Sequence, residues 1–504
     1  MADGLDHAKR PSGVGEPSKL LIGGRWCSGS DGRRFTVEDP ATGRAGGEAV
    51  DASPTDALAA LDAAVAAQPD WARVAPRGRA EILRRGFDLL TADREAFASI
   101  IAQETGKPLR EARSEVAYAA EFLRWFSEEA VRIHGRYQTA PDGKLRHLVS
   151  RKPVGPCLLV TPWNFPLAMV TRKVAPAVAA GCAMVVKPSE LTPATAARFA
   201  ALMTAAGLPA GVLNLVPTMR AEAAIGALLA DPRLRKLSFT GSTRVGRLLL
   251  AATAPNVQRS SLELGGNAPF LVFEDADLDA AIEGAMQAKL RNAGQACTAA
   301  NRFLVHEAIA DEFLSRLGRA FEAVTFGDRE GAIGPLINRN ARDHVHALVS
   351  DALARGARLV TGGALPEGPG YFYPPTLLAD VAPGSRLLGE EIFGPVAPVQ
   401  RFACDAEAIS AANATPYGLA AYAYTADVDR ALRLQDELDA GMLGINSGLV
   451  SDPAAPFGGV KHSGLGREGG TEGIEEYLSI HYAAIGRGNP RSRDAVPDPA
   501  IAAA

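Results

Sequence analysis

Hydrophobic and polar positions change rhythm twice along this chain. From Pro54 to about Arg132, alanine-rich amphipathic stretches such as RAEILRRGFDLLTADREAFASIIAQETG predict a helical region, with Gly106 as a C-cap. From Val154 short apolar runs take over: PCLLVTP, AMVVKP, GVLNLVP, KLSFTG and SSLELGG read as buried strands. Helices are predicted between them at Leu167–Ala180, at Ala194–Ala206, near Ala221–Ala230 and from Val245. Such alternation makes βαβ units and a mostly parallel, doubly wound sheet.

After Gly266 a second α/β unit begins. NAPFLVF reads as a strand, and Asp277 caps a helix whose apolar positions are Leu278, Ala281, Ile282, Ala285, Met286 and Leu290. That helix delivers Arg291 at its end, and the NAGQ turn then presents Cys297. Strand–helix alternation continues to about Asn446. Arg136–Arg151 and the strand-like stretch near Tyr477–Ala484 fall outside both units, and are expected to pair as an extra sheet or to serve subunit contact. Residues 1–18 and 488–504 carry no usable periodicity and are expected to be disordered tails.

Composition narrows the class. A chain of 504 residues has room for two to four domains at about 100–200 residues each. Its net charge of −4 comes without a block of five or six like charges, so it carries no electrostatic footprint for nucleic acid. The longest apolar run, Ala175 to Val186, is shorter than the roughly 18 residues of a membrane span. The N-terminal stretch lacks an apolar h-region and contains acidic residues, so neither a secretory signal nor a transit peptide is expected, and the location expected is cytoplasmic. Five widely spaced cysteines with no C-x-x-C indicate neither a disulfide framework nor a metal site. Four of them are expected to be small buried hydrophobes.

Cys297 is the exception, because RNAGQACTAANR flanks it with small and polar residues, whereas Cys157 and Cys182 lie in apolar runs. A nucleophilic thiol needs access and a base or helix N-terminus nearby. Doubly wound sheets bind ligands beyond the carboxyl ends of their strands, which gathers Asn164, Lys187, the Gly241-Ser242 turn and Glu263 at one edge. Glu263 is read either as a surface carboxylate or as a general base for water. Asn164, bracketed by Pro162 and Pro166, is a turn cap or an oxyanion donor. Lys187 is a snorkelling strand-end lysine or a ribose contact. GSTRVG is a plain turn or a phosphate-binding helix entry.

TPWNFP, VVKPSE, FTGSTRVG, LELGG, GQACTAANR, EEIFGPV and PFGGVKHSGLGRE stand in the order and spacing of the NAD(P)-dependent aldehyde dehydrogenase superfamily, which the chain resembles over residues 20–485. The resemblance implies an α/β fold of two Rossmann-like domains plus a small oligomerisation sheet. A nucleotide-binding domain would take 19–133 and 154–264, a catalytic domain 265–465, and oligomerisation segments 134–153 and 470–487. It further implies Cys297 as nucleophile, Glu263 as general base, Asn164 in the oxyanion hole, and Lys173 with Glu468 as a polar pair assisting proton movement. Cofactor positions would be Lys187 and Glu190 at the adenosine ribose, Ser242 at the pyrophosphate, and Glu391 and Phe393 at the nicotinamide ribose and ring. Thr161, Pro162, Trp163, Ser189, Gly241 and Leu264 complete that set. A homodimer or homotetramer is the implied assembly.

Within the superfamily, TRKVAPA, LRNAGQAC and GINSGLVSDPAAPFGGVKHSGLGREGGTEGIEEYL look like succinate-semialdehyde dehydrogenases and glutarate-semialdehyde relatives. In that group two arginines and a serine hold the substrate carboxylate, at positions matching Arg172, Arg291 and Ser451. Guanidinium binds carboxylate bidentately, so the residue types suit the task. Glutarate semialdehyde and aliphatic or aromatic aldehydes are the alternative substrates. Ala299 stands where several members carry a second cysteine, which removes that disulfide switch. Glu190 would repel a 2′-phosphate, so NAD is expected, with NADP as the alternative. A CoA-acylating relative, or a non-catalytic descendant, would be expected to lack Glu263 or Cys297.

Overall fold

The computed structural model describes residues 18–327 and 330–486. The expected tails lie outside the described residues except at Ser18, which is buried and donates its N–H to the Glu48 carbonyl at 2.9 Å. Five of the apolar runs form parallel strands of one sheet: Cys157–Val160, Met184–Lys187, Leu213–Leu215, Lys236–Thr240 and Arg259–Glu263. The first three progress to one side and the last two to the other, so the order reverses between Cys157–Val160 and Lys236–Thr240. A crevice opens at the carboxyl ends of strands where the order reverses. Antiparallel additions at the two edges, Gly464–Leu465 and the hairpin Leu20–Ile22 with Arg25–Cys27, bring the sheet to eight strands. These edge strands have two or three residues each, too few to show a period in the sequence.

The helical region from Pro54 resolves into four helices: Pro54–Arg73, Pro76–Ala92, Arg94–Thr105 and Leu109–Glu129. Ser53 and Asp56 cap the first reciprocally, and Gly106, at φ 73°, ends the third in the left-handed conformation expected of it. Helix Pro166–Ala180 is buried along its whole length, packed between the sheet and Leu109–Glu129. A helix covered on all sides should be apolar all round. Arg172 and Lys173 break that rule, and charged groups are buried only where something pairs them.

The second sheet runs Arg358–Thr361, Thr376–Ala379, Val396–Phe402, Ala300–His306, Ala268–Val272, Ala420–Tyr424, Met442–Ile445, parallel except at its first pair. Asp277 caps helix Leu278–Leu290 through the N–H groups of Asp279 and Ala280, as its position predicts. Leu478–Gly486 pairs antiparallel with Leu145–Pro153, which pairs with Arg136–Thr139, so the two stretches left outside both units do form an extra sheet. Tyr137, Leu148, Ile480, Tyr482 and Ile485 on it are exposed.

All five cysteines are free thiols. Cys157 and Cys182 are buried as expected, whereas Cys404 is exposed at the start of helix Asp405–Asn413 and Cys27 is half-buried, so neither of those two fills a core position. Among the described residues no helix is long and apolar enough to cross a membrane, and no cluster of three His, Cys, Asp or Glu could hold a metal ion.

Candidate active site

Asn164 lies in the turn after Cys157–Val160, and Pro166 starts the next helix, where its fixed φ suits the first helical turn. Thr240, Gly241 and Ser242 leave the neighbouring strand across the reversal, and Glu263 ends the next strand outward. The second sheet contributes Cys297, in the turn between Arg291–Gly294 and strand Ala300–His306. These segments enclose a cavity of about 270 Å³, walled by Asn164, Arg172, Glu263, Arg291, Cys297 and Ser451. Pro162, Trp163, Gly241, Ser242, Leu264, Glu391 and Phe393 line the same cavity. A second cavity of about 500 Å³ shares Tyr118, Phe165, Arg291 and Ser451 with it.

The other sequence candidates stand outside that wall. Thr161 donates its N–H to the Lys187 carbonyl at 3.1 Å, and Lys187 Nζ meets Glu190 Oε2 at 2.9 Å, one strand along the sheet. Ser189 accepts from the Leu191 N–H at 3.2 Å. Lys173 and Glu468 lie behind the wall, where both Lys173 and Arg172 bear on the Glu468 carboxylate.

The turn that presents Cys297 is strained. Asn292 and Ala293 take φ of 52° and 53°, followed by Gly294 at 75°. A non-glycine residue in that conformation costs on the order of 1–2 kcal/mol. Side chains hold the strain in place. Asn292 Nδ2 donates to the carbonyls of Asn164 at 3.0 Å and Gln295 at 3.1 Å, while Gln295 Nε2 donates to the carbonyls of Asn292 and Pro335. Gly266 lets the turn sit close, since a Cβ there would lie 2.4 Å from the Cys297 carbonyl oxygen.

Asn164 is fastened from a third direction. Its carbonyl accepts from Lys107 Nζ at 2.8 Å, and Lys107 in turn pairs with Glu115 at 2.7 Å, both side chains almost wholly buried. Glu115 also accepts from the N–H of Leu167 at 2.9 Å, at the start of the helix that carries Arg172. Lys107, Glu115, Tyr118, Asn292 and Gln295 were not singled out in the sequence. Their partners lie up to more than a hundred residues away, so no local spacing marks them. Asn164 Nδ2 spends one N–H on the Gln295 carbonyl at 3.1 Å, and a primary amide has a second to offer.

Burial dominates the electrostatics. It pushes the Cys297 thiol up to about 12, with the Glu263 charge adding to the effect and Arg172 opposing it. Cys297 heads no helix, so no helix dipole lowers it, and in the resting site it remains a thiol needing a base. Burial and then Glu468 push Glu263 up to about 8 against Arg172 and Lys173, which makes it a stronger base than an exposed carboxylate. Burial also raises Glu391 to about 7, although it accepts from the Gly266 N–H at 3.2 Å.

Both Glu263 oxygens, Asn164 Oδ1, Thr161 Oγ1 and Thr240 Oγ1 are buried without a hydrogen-bond partner among the described residues. Buried polar atoms need partners, so this concentration marks where a polar ligand binds. Ser242 caps helix Thr243–Thr253 through the Val245 N–H at 3.4 Å, leaving a positive helix end at the cavity's edge that suits phosphate. The residues therefore fit a phosphate-bearing cofactor beside the thiol.

The model of the aldehyde dehydrogenase family matches residues 26–482. The chain belongs to the aldehyde dehydrogenase family. As an aldehyde dehydrogenase it is an oxidoreductase acting on the aldehyde group, with NAD or NADP as acceptor. It is 62% identical over 437 residues to a succinate-semialdehyde dehydrogenase of Paenarthrobacter nicotinovorans, covering 86% of this chain and 97% of the relative. It is 46% identical over 471 residues to the succinate-semialdehyde dehydrogenase [NADP(+)] GabD of Escherichia coli, covering 93% and 98%. The crystal structure of an NADP-dependent enzyme of E. coli superposes with a TM-score of 0.92 at 45% identity, over 94% of this chain and 98% of that one.

Proposed function

We propose that this aldehyde dehydrogenase oxidises succinate semialdehyde to succinate, with Cys297 as nucleophile and Glu263 as general base. One observation carries the reading: the thiol, the carboxylate and two guanidiniums, Arg172 and Arg291, share one buried cavity. An aldehyde with an anionic tail needs that combination, since a buried carboxylate must meet paired positive charge. The substrate named for the P. nicotinovorans relative supports it.

Arg172, Arg291 and Ser451 hold the carboxylate and set the aldehyde carbon before the Cys297 sulfur. Thiol deprotonation, with Glu263 as the nearby acceptor, lets sulfur attack the carbon, and the resulting oxyanion takes the second N–H of Asn164. Bound NAD or NADP supplies the hydride acceptor. The acyl group left on Cys297 is a thioester. Glu263 then takes a proton from water, hydroxide adds to the acyl carbon, and the acid departs as the thiol is restored. Lys173 and Glu468 relay the proton away from Glu263.

Ser242 and the N–H groups behind it suit the pyrophosphate, Lys187 and Glu190 the adenosine ribose, and Trp163, Glu391 and Phe393 the nicotinamide end. NAD is the preferred cofactor, because Glu190 places a carboxylate where a 2′-phosphate would go. The eight-stranded sheet and its helices would serve as the nucleotide domain and the seven-stranded sheet as the catalytic one. The exposed Tyr137, Ile480 and Tyr482 favour the small sheet as the contact of a homodimer or homotetramer in the cytoplasm.

Aldehyde-dependent formation of reduced cofactor tests the assignment. Succinate semialdehyde should exceed longer semialdehydes and uncharged aldehydes in kcat/KM, and Cys297→Ala should abolish turnover. Activity surviving that substitution overturns the mechanism, and a preference for uncharged aldehydes overturns the substrate.

A further inference from the structure

Arg172 is gripped on two sides before any substrate arrives. Its Nε lies 2.7 Å from Glu468 Oε2, and the ring of Phe457 covers its guanidinium face at 4.1 Å. The two gripping residues are themselves locked together. Phe457 N–H donates to the Glu468 carbonyl at 2.6 Å, and Glu468 N–H donates back to the Phe457 carbonyl at 2.8 Å. The other Glu468 oxygen is engaged by Lys173, whose Nζ also donates to Ser238 Oγ at 3.0 Å. Arg172, Lys173 and Glu468 are all at least nine-tenths buried.

This arrangement settles which edge of Arg172 is spent. A guanidinium has five N–H donors in a planar fork, and carboxylates take two of them at a time. Glu468 Oε2 pairs with the Nε side as an ion pair, Nη2 donates to Met169 Sδ at 3.1 Å, and the remaining N–H groups are left for the cavity whose wall Arg172 forms. A rival carboxylate stands close by. Both oxygens of Glu263 are buried without a hydrogen-bond partner among the described residues, and Glu263 lines the same cavity. An Arg172 released from Glu468 would find Glu263 the available anion, and that pairing would remove the clamp and neutralise the base together.

We infer that Glu468 is a specificity-determining positioning residue, which holds Arg172 presented to the substrate's carboxylate and away from Glu263. The inference rests on the semialdehyde reading above and gives Glu468 a task separate from relaying protons, one for each carboxylate oxygen.

A double-mutant cycle over Arg172→Met, Glu468→Gln and the double variant, read with succinate semialdehyde and with butanal, tests it. Glu468→Gln should lower kcat alike with both aldehydes as the relay is lost, and should raise KM for succinate semialdehyde about tenfold relative to KM for butanal, in the range of coupling between contacting residues. The double variant should have a KM for the semialdehyde no higher than Arg172→Met alone, because Glu468 acts on anion binding only through Arg172, while its part in proton transfer falls on kcat. Additive effects, or equal rises for both aldehydes, overturn the inference. Should Glu468→Gln fail to fold, Glu468→Asp keeps the charge, shortens its reach, and must show the same split between the two aldehydes. A wild-type enzyme inactive on succinate semialdehyde defeats the substrate reading instead, so the two failures are distinct.

Discussion

Asn292 donates its side-chain amide to the main-chain carbonyl of Asn164 at 3.0 Å, which ties the strained turn before Cys297 to the opposite wall of the cavity. Asn292→Ala removes that bond and also places alanine at φ 52°, where asparagine is tolerated far better. The expected loss is about 1–3 kcal/mol of stability, from the bond and the backbone together, read from a urea midpoint. Misplacing the thiol should lower kcat by about 10- to 100-fold with a smaller change in aldehyde KM. An unchanged kcat would mean the turn holds its shape without this tether.

As the proposed general base, Glu263 is expected to set the pH response. Its carboxyl is raised to about 8, and only the ionised form can take a proton from water. Turnover limited by thioester hydrolysis should therefore rise with pH to a midpoint near that value. Glu263→Gln should give a burst of reduced cofactor followed by slow turnover, as acyl-enzyme accumulates. The stability sign follows from the same shift. A carboxyl raised on folding stabilises the protein fully below its unfolded pKa, and that contribution is lost as pH rises through about 8. Glu263→Gln should accordingly melt higher than wild type at pH 9, and a lower melting temperature there would contradict the burial argument.

What the chain revealed before its structure was known divides by range. Apolar runs bounded by glycine and proline announced the parallel strands, and of the residues the strand-end rule gathered, Asn164, Gly241, Ser242 and Glu263 line one cavity while Lys187 stands outside its wall. Cys297 stood out from its neighbours by local polarity. The supporting residues did not, because Lys107 reaches Asn164 over 57 positions and Asn292 reaches it over 128. Arg172, Lys173 and Glu468 came into view only through the family resemblance, because no local spacing joins Lys173 to a carboxylate 295 positions away. The edge strands escaped because two or three residues carry no period.

Arg291 offers the cleaner test of the carboxylate clamp. Its guanidinium lies over the Phe165 ring at 4.7 Å and lines both cavities, and among the described residues no ion pair like that of Arg172 with Glu468 holds it. Arg291→Ala should raise KM for succinate semialdehyde by at least about 30-fold, the lower bound of about 2 kcal/mol for losing one partner of a buried charge contact. KM for an uncharged aldehyde of similar length should change little. Equal effects on both would show that Arg291 shapes the passage and does not bind the anion.

With Lys187 and Glu190 proposed at the adenosine ribose, their 2.9 Å contact is expected to govern cofactor choice. Lys187 is nearly buried while the Glu190 side chain is 36% exposed, so the carboxylate projects from the strand end with its cation beneath it. In that pair Glu190 both repels a 2′-phosphate and occupies the lysine that would attract one. Glu190→Ser removes the repulsion and releases the cation in one step, so kcat/KM for NADP relative to NAD should rise by at least about tenfold, equal to roughly 1.4 kcal/mol. Because the carboxylate is partly solvated, the proposed preference for NAD should also weaken as salt rises from 0.01 M to about 0.5 M, where screening acts within a few ångströms. The E. coli relative whose name carries NADP(+) makes the measurement decisive. A ratio unmoved by both the substitution and the salt would place the discrimination elsewhere on the ribose-binding surface.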